Sequence, residues 1–310
     1  MTTRTGSTVA SGAGPEGPGR ERGPGRRLRD ALRTPLRVLR VLLFAYLGII
    51  VLLMLLERSL IFLPMRYPHG RWEDQPAGVQ EIEFTAEDGT RLHGWYAHRD
   101  DPTGVILYAH GNAGNITHRA SLMRRLHDGL GCSVFLFDYR GYGKSEGRPS
   151  EAGILMDGRA ARDRLAQLAG VSGSDIVFMG RSLGTAVAID LAAEGGARGL
   201  VLHSGFPSMP DVAAYHYPWL PVRWLMRTRL NAGERIRGYD GPLLQAHGEA
   251  DRIIPIDLGR QLFEAAPSEQ KRWLSLGGID HNDLPPERFY DELRAFLDRN
   301  VAPSVEHGTR

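Results

Sequence analysis

"DIVFMGRSLGTAVAIDLAAEGGA", residues 175–197, is the stretch on which the reading of the fold turns. Its first part, Ile176 to Met179, is β-branched and apolar, suited to a buried strand. Glycines then bracket Arg181, Ser182 and Leu183, and a run rich in Ala, Leu and Ile follows with good helix propensity. Strand, tight turn and helix therefore stand in order, with Ser182 on the turn and the first helical N–H groups facing whatever approaches it. The pattern Gly-x-Ser-x-Gly alone decides little. A chain with 38 Gly and 15 Ser in 310 residues would show it by chance about 0.2 times. A second match, "GKSEG" at 143–147, follows "FLFDYRGYG" and runs into "RPSEAG" well before any helix, so Ser145 reads as a loop serine.

Outward from this turn, from about Val79 onward, short β-rich runs alternate with helical stretches. That alternation predicts an α/β fold, a mostly parallel twisted sheet with helices on both faces. "VQEIEF" and "RLHGWYAH" form an antiparallel opening pair around "EDGT"; "GVILYA", "SVFLFD", "DIVFM", "GLVLH", "PLLQAH" and "RWLSL" follow. Helices are predicted near 118–129, 150–169, 183–194, 257–266 and 286–299. Residues 205–238 exceed an ordinary connection between a strand and a helix and carry Tyr215, Tyr217, Trp219, Leu220, Trp224 and Met226. They read as a small cap on a domain running from 60 to 302, with 303–310 as a tail.

Residues 1–37 are Gly-, Pro-, Ser- and Arg-rich, with little to bury, and are expected to be disordered. Residues 38–58 are expected to be one transmembrane helix, because "VLLFAYLGIIVLLMLL", Val41 to Leu56, is an unbroken apolar run that a helix extends to roughly 24 Å. It lacks the polar stripe of a core helix, and no small-residue cleavage site follows as it would after a secretory signal. Arg26, Arg27, Arg29, Arg33, Arg37 and Arg40 precede the span, whereas Arg58, Arg66 and Arg71 follow it. That asymmetry predicts a single-pass membrane protein with a cytoplasmic N-terminus and an extracytoplasmic catalytic domain.

Partners for Ser182 should lie on loops after later strands, the acid before the histidine. His203 ends a strand, His216 belongs to the cap, His247 precedes the acid loop and His307 lies in the tail. Only His281, in "LGGIDHND", sits in a loop after the last strand. The loop "GEADRIIP" offers two acids, Glu249 and Asp251. A neutral imidazole at His281 would take the Ser182 proton and later return it to a leaving group. A developing oxyanion needs two fixed N–H donors: Leu183, directly after the serine, and Asn112 in "HGNAGN", where Gly111 lets the backbone approach. No cofactor and no metal are expected.

Taken together, "HGNAGN", "FDYRGYGKSEG", "GRSLGT", "YPWLPVRWLMRTRLN", "HGEADRIIP" and "GGIDHND" resemble the α/β-hydrolase superfamily, and within it the Bem46-like group with α/β-hydrolase domain proteins 13 and 17. The resemblance runs from about Leu60 to Leu297. It implies a membrane-anchored serine hydrolase using Ser182, Asp251 and His281, with Asp251 preferred to Glu249, and makes Tyr139, Arg140 and Ser145 of "FDYRGYGKSEG" structural or site-lining rather than catalytic; His110, Gly111, Arg181 and Tyr139 are expected to line the site. Two departures stand out: "LHSGFPSM" where Ser-Pro-Phe is more usual, and "GGIDHND" with an extra residue against the shorter Gly-Gly-x-His form. The depalmitoylating relatives bind membranes through an N-terminal cysteine cluster, which is absent here. That absence, with the predicted topology, disfavours cytoplasmic protein depalmitoylation.

Composition narrows the alternatives. Residues 1–40 hold nine Arg against three acids, about +6, so the remainder of a chain of net charge +2 is about −4. A mildly acidic domain without aromatic-basic interleaving predicts no nucleic-acid partner. The lone Cys132 excludes an intrachain disulfide. The expected partners are a small-molecule or lipid acyl substrate and a membrane. A serine peptidase of the prolyl aminopeptidase type and a non-catalytic membrane-tethered binding module are the other readings. A peptidase would need an acidic anchor for the substrate amine, and Asp211 is the only acid in the cap before Glu234.

Overall fold

The computed structural model describes Thr2, Thr3, Gly14 and residues 24–300, with side chains from residue 35 onward within the helical stretch. Most of residues 1–23, and the 303–310 tail with His307, lie outside the described residues. The chain divides into two compact units, residues 1–52 and 53–310.

The first unit contains most of α1 (Pro24–Ile61). The helix is longer than the expected 38–58 and takes in residues 24–37, which composition had assigned to disorder. Pro24 stands at the first helical position, where its missing N–H costs nothing, and the Leu, Arg and Ala residues that follow favour helix. Within α1, Pro35–Ile61 is long and apolar enough to cross a membrane.

The second unit holds a sheet of eight strands: β2 (Gln80–Thr85), β3 (Arg91–Ala97), β4 (Val105–Ala109), β6 (Ser133–Asp138), β7 (Ile176–Arg181), β8 (Gly199–His203), β9 (Leu243–Gly248) and β10 (Lys271–Leu276). Their order is β10-β9-β8-β7-β4-β6-β3-β2, with only β2–β3 and β3–β6 antiparallel. A separate short pair, β1 (Leu63–Pro64) and β5 (Ala113–Gly114), runs parallel. Strand alternation splits the core in two. Val105, Leu107 and Ala109 of β4 join the cluster that holds α3 (Glu151–Ala169) and α4 (Leu183–Gly195). Ile106 and Tyr108 join the opposite cluster, with α2 (Ala120–Arg124) and α9 (Glu287–Asn300). α8 (Ile256–Ala265) follows the acid loop. The expected cap is α5 (Met209–His216), α6 (Val222–Leu225) and α7 (Ala232–Arg235), between β8 and β9.

Ser182 lies at the C-terminal end of β7, a central strand flanked by β4 and β8. Loops from β4, β9 and β10 also open at that end, the usual ligand-binding edge of such sheets.

Candidate active site

The turn at Ser182 is set by close packing. A Cβ on Gly180 would stand 2.4 Å from the Gly184 carbonyl oxygen, and one on Gly184 would stand 2.0 Å from that of Ala109. No side chain fits at either position. Between them Ser182 takes φ +53°, a strained value for a residue with a Cβ, and its N–H donates to His203 O at 2.9 Å. Leu183 opens α4, so its N–H has no acceptor within the helix.

Three loops bring the expected partners together. His281 Nε2 lies 3.1 Å from Ser182 Oγ, and its Nδ1 lies 2.8 Å from Asp251 Oδ2. Asp251 Oδ1 accepts the N–H groups of Ile253 (3.0 Å) and Ile254 (2.7 Å). All three residues are nearly enclosed: Ser182 is 8%, Asp251 6% and His281 7% exposed. Burial opposes ionisation of Asp251, but the hydrogen bond and charge of His281, the Ile254 amide and His247 together hold its carboxyl below the ordinary value. A carboxylate only accepts, so His281 Nδ1 carries the proton and Nε2 is the acceptor facing the Ser182 hydroxyl. Glu249, the other acid of the loop, is exposed and accepts from Ser275 Oγ at 2.6 Å.

Asn112 is fixed by three bonds. Its carbonyl accepts Leu63 N–H at 3.0 Å and Tyr142 Oη–H at 2.8 Å, and its Nδ2 donates to Ile61 O at 3.1 Å. Gly111 lies against Ser182, yet a Cβ there would meet Ser182 Cβ at 3.5 Å, an ordinary contact. The approach therefore does not itself demand glycine. Arg181 donates to the carbonyls of His281 and Asp283 (3.1 Å to the latter), so it braces the histidine loop.

Two expected lining residues are instead supports. Tyr139 is fully buried behind the loop, its hydroxyl donating to His110 O at 2.9 Å. His110 is buried too, with Nδ1–H donating to Gly111 O at 2.7 Å and its ring 4.5 Å from that of Tyr139. Aromatic volume drew both under the sheet end, where the loop needs a floor. Ser145 is structural, as read: its hydroxyl donates to Asp138 O at 2.7 Å and accepts His93 N–H at 2.9 Å.

His247 precedes the acid loop in sequence, which sets it outside the expected triad. It lies buried beside Asp251, Nε2 being 3.5 Å from Oδ2 and donating to Ile254 O at 2.8 Å. Burial, partly offset by the Ile254 carbonyl and Asp251, lowers its pKa. Its ring stacks on Trp273. The four-residue spacing to Asp251 was the available signal.

A likeness of fold and of sequence agrees with this architecture. The family model described as "Hydrolase_4: Serine aminopeptidase, S33" matches residues 100–232. A Pyrococcus furiosus esterase, Pf2001, superposes with a TM-score of 0.64 at 20% identity, over 78% of this chain and 98% of that one. The chain has the α/β-hydrolase fold. It is 40% identical to the uncharacterized protein Rv2307c of Mycobacterium tuberculosis over 81% of this chain and 90% of the relative. It is 31% identical to protein bem46 of Schizosaccharomyces pombe, over 79% and 86% respectively. The chain belongs to the Bem46-like group of α/β-hydrolases.

Proposed function

We propose that this hydrolase is a membrane-anchored serine esterase or thioesterase working through an acyl-enzyme. The observation that carries the reading is the continuous hydrogen-bonded line from Ser182 Oγ through His281 to Asp251 on a strained turn. Ser182 Oγ attacks the acyl carbon while His281 Nε2 takes its proton. Asp251 keeps the imidazole in the correct tautomer and stabilises its cation. The oxyanion is received by the N–H groups of Leu183 and Asn112. Collapse breaks the acyl–oxygen or acyl–sulfur bond, and His281 returns the proton to the leaving alcohol or thiol. Water, deprotonated by His281, then attacks the acyl-enzyme, releasing the acid and restoring Ser182. None of these steps calls on a cofactor or metal.

The apolar segment of α1 would anchor the chain, N-terminus in the cytoplasm and the hydrolase domain outside. Protease protection in membrane vesicles of known sidedness, with the mass of the mature chain, separates an anchor from a cleaved signal. Peptidase chemistry is less well supported, although the matching family model is described as a serine aminopeptidase. Of the cap acids, Asp211 is already paired with Arg223 and accepts from Ser208, and Glu234 accepts from Asn231 Nδ2 at 3.3 Å, which leaves both poorly suited to a substrate amine.

The test is a fluorophosphonate probe and an ester panel of varied chain length on wild type and Ser182→Ala. Labelling and turnover should vanish in the variant. Equal turnover by both proteins refutes the assignment.

A further inference from the structure

A cavity of about 270 Å³ lies at the C-terminal end of the sheet, on the α2 and α9 face that Tyr108 and Met179 share. Tyr108 of β4, Arg181 of β7, His203 of β8 and Tyr290 of α9 line it, together with Arg119 and Arg125 at the two ends of α2. Ser182, Asp251 and His281 are not part of its lining.

The walls hold polar groups that the fold leaves unpaired. Tyr108, His203 and Tyr290 are 2%, 3% and 8% exposed, yet among the described residues neither hydroxyl and neither imidazole nitrogen has a hydrogen-bond partner. Buried polar groups seldom go without one. Arg181 spends only Nη2, on the carbonyls of His281 and Asp283, and keeps its Nε–H and both Nη1–H groups. Arg119 spends Nη2 on Ala113 O at 3.2 Å, and its enclosed Nε finds no partner among the described residues. Arg125 is paired with Glu287, and its guanidinium lies 4.5 Å from the centre of the Tyr290 ring.

We propose that this cavity binds a phosphate monoester, at a site separate from the catalytic serine. With the histidines neutral, Arg119, Arg125 and Arg181 against Glu287 leave the lining at +2, and a phosphate monoester carries close to two negative charges at neutral pH. Water can serve the phenols and the imidazole, but it does not offset that charge. Guanidinium forks suit phosphoryl oxygens, and the three terminal oxygens give the phenol hydroxyls acceptors as well. A carboxylate, with one charge and two oxygens, leaves a cation and several donors unserved. Because Arg181 also holds the His281 carbonyl, the cavity and the histidine loop share one side chain. Phosphatidate at a membrane surface and a soluble glycerol phosphate carry the same group, and titration separates them. The site does not depend on the chemistry at Ser182.

The full chain in detergent micelles is titrated by calorimetry with glycerol 3-phosphate and, in mixed micelles, with dioleoyl phosphatidate. Saturable binding of one ligand per chain is expected, and the tighter of the two identifies the source; equal affinity means that the phosphate group alone is read. Arg119→Gln should weaken binding about tenfold, and Tyr108→Phe, which removes only a hydroxyl, about threefold. Arg124→Gln removes an exposed charge from the same helix outside the cavity, and its Kd should stay within about twofold of wild type. Melting curves without ligand establish that each variant is folded; should Arg119→Gln not fold, Tyr108→Phe decides. Binding of neither ester overturns the inference. So does equal weakening by Arg124→Gln and Arg119→Gln, or an unchanged Kd in every folded cavity variant.

Discussion

Arg252 and Asp280, the residues beside Asp251 and His281, join the acid loop to the histidine loop. The Arg252 guanidinium donates to Asp280 Oδ2 at 2.7 and 3.0 Å, while Arg252 N–H donates to Oδ1 at 3.1 Å. His281 N–H also donates to Oδ1, at 2.7 Å. The half-buried Asp280 carboxyl is held at a pKa of about 2, first by the Arg252 side chain and then by the backbone amides of Arg252 and His281. It is ionised at any practical assay pH, so the clamp persists throughout. Asp280→Ala should lower kcat about three- to tenfold with little change in KM, because it loosens the approach of His281 to Ser182 without touching substrate. Steady-state kinetics at several pH values checks this, and the deficit should not depend on pH from 6 to 9, a range chosen as roughly the stable one.

Ser182→Ala should abolish ester turnover by roughly three orders of magnitude or more, and Asp251→Asn by roughly two to four, each with a wild-type melting profile. Thiol reagents should leave activity intact. Cys132 is fully buried, and burial pushes its thiol up to about 12, so almost no thiolate exists to react. Kinetics of the two variants, and of wild type treated with iodoacetamide, check both expectations.

The site was legible in the sequence where it depended on local order. Strand, glycine turn and helix placed Ser182, and chain order placed His281, because each lies within a few residues of the element that presents it. What escaped reading depends on contacts across the chain. His247 is enclosed because α8 folds back over it: a Cβ on Gly259 would stand 2.2 Å from His247 Nδ1. Tyr139 sits beneath the loop rather than in the cleft because its ring packs against His110, Phe137 and Tyr142. Glu57 reaches the cap across 170 residues, a separation no periodicity reports. Likewise α1 starts at Pro24 because helix propensity and continuity with the apolar run outweigh a composition that suggests disorder.

His203 makes stability depend on pH. It is buried against Phe289, and burial first, then Arg181, His247 and His281, lowers its pKa to about 3. Between that value and the ordinary one of about 6.5, the unfolded chain binds a proton the folded chain refuses. Stability from this group therefore rises with pH across the window and is lost as pH falls through it. His203→Phe preserves ring stacking and removes the titration. Wild type should lose more stability than the variant between pH 7 and roughly pH 4, read by urea midpoints, with the two curves converging in slope above pH 7.

Gly184→Ala tests the turn itself. The methyl would enter at 2.0 Å from Ala109 O and 2.6 Å from His110 O, both backbone atoms held by the central sheet and the loop that follows it. Neither is the end of a flexible side chain, so the conflict must be relieved by moving α4 away from β4. That displacement costs on the order of 1–3 kcal/mol in an already close-packed core. It also swings the Leu183 N–H away from the carbonyl oxygen it would meet. The variant should therefore melt several degrees lower and, in the fraction that stays folded, lose kcat at least about tenfold. Gly111→Ala is the matched control, since its Cβ meets only ordinary contacts at 3.5 and 3.6 Å. It should keep a wild-type melting temperature. Equal thermal loss in both variants would mean that the glycine at 184 is not set by the approach to β4, and calorimetry of the pair decides it.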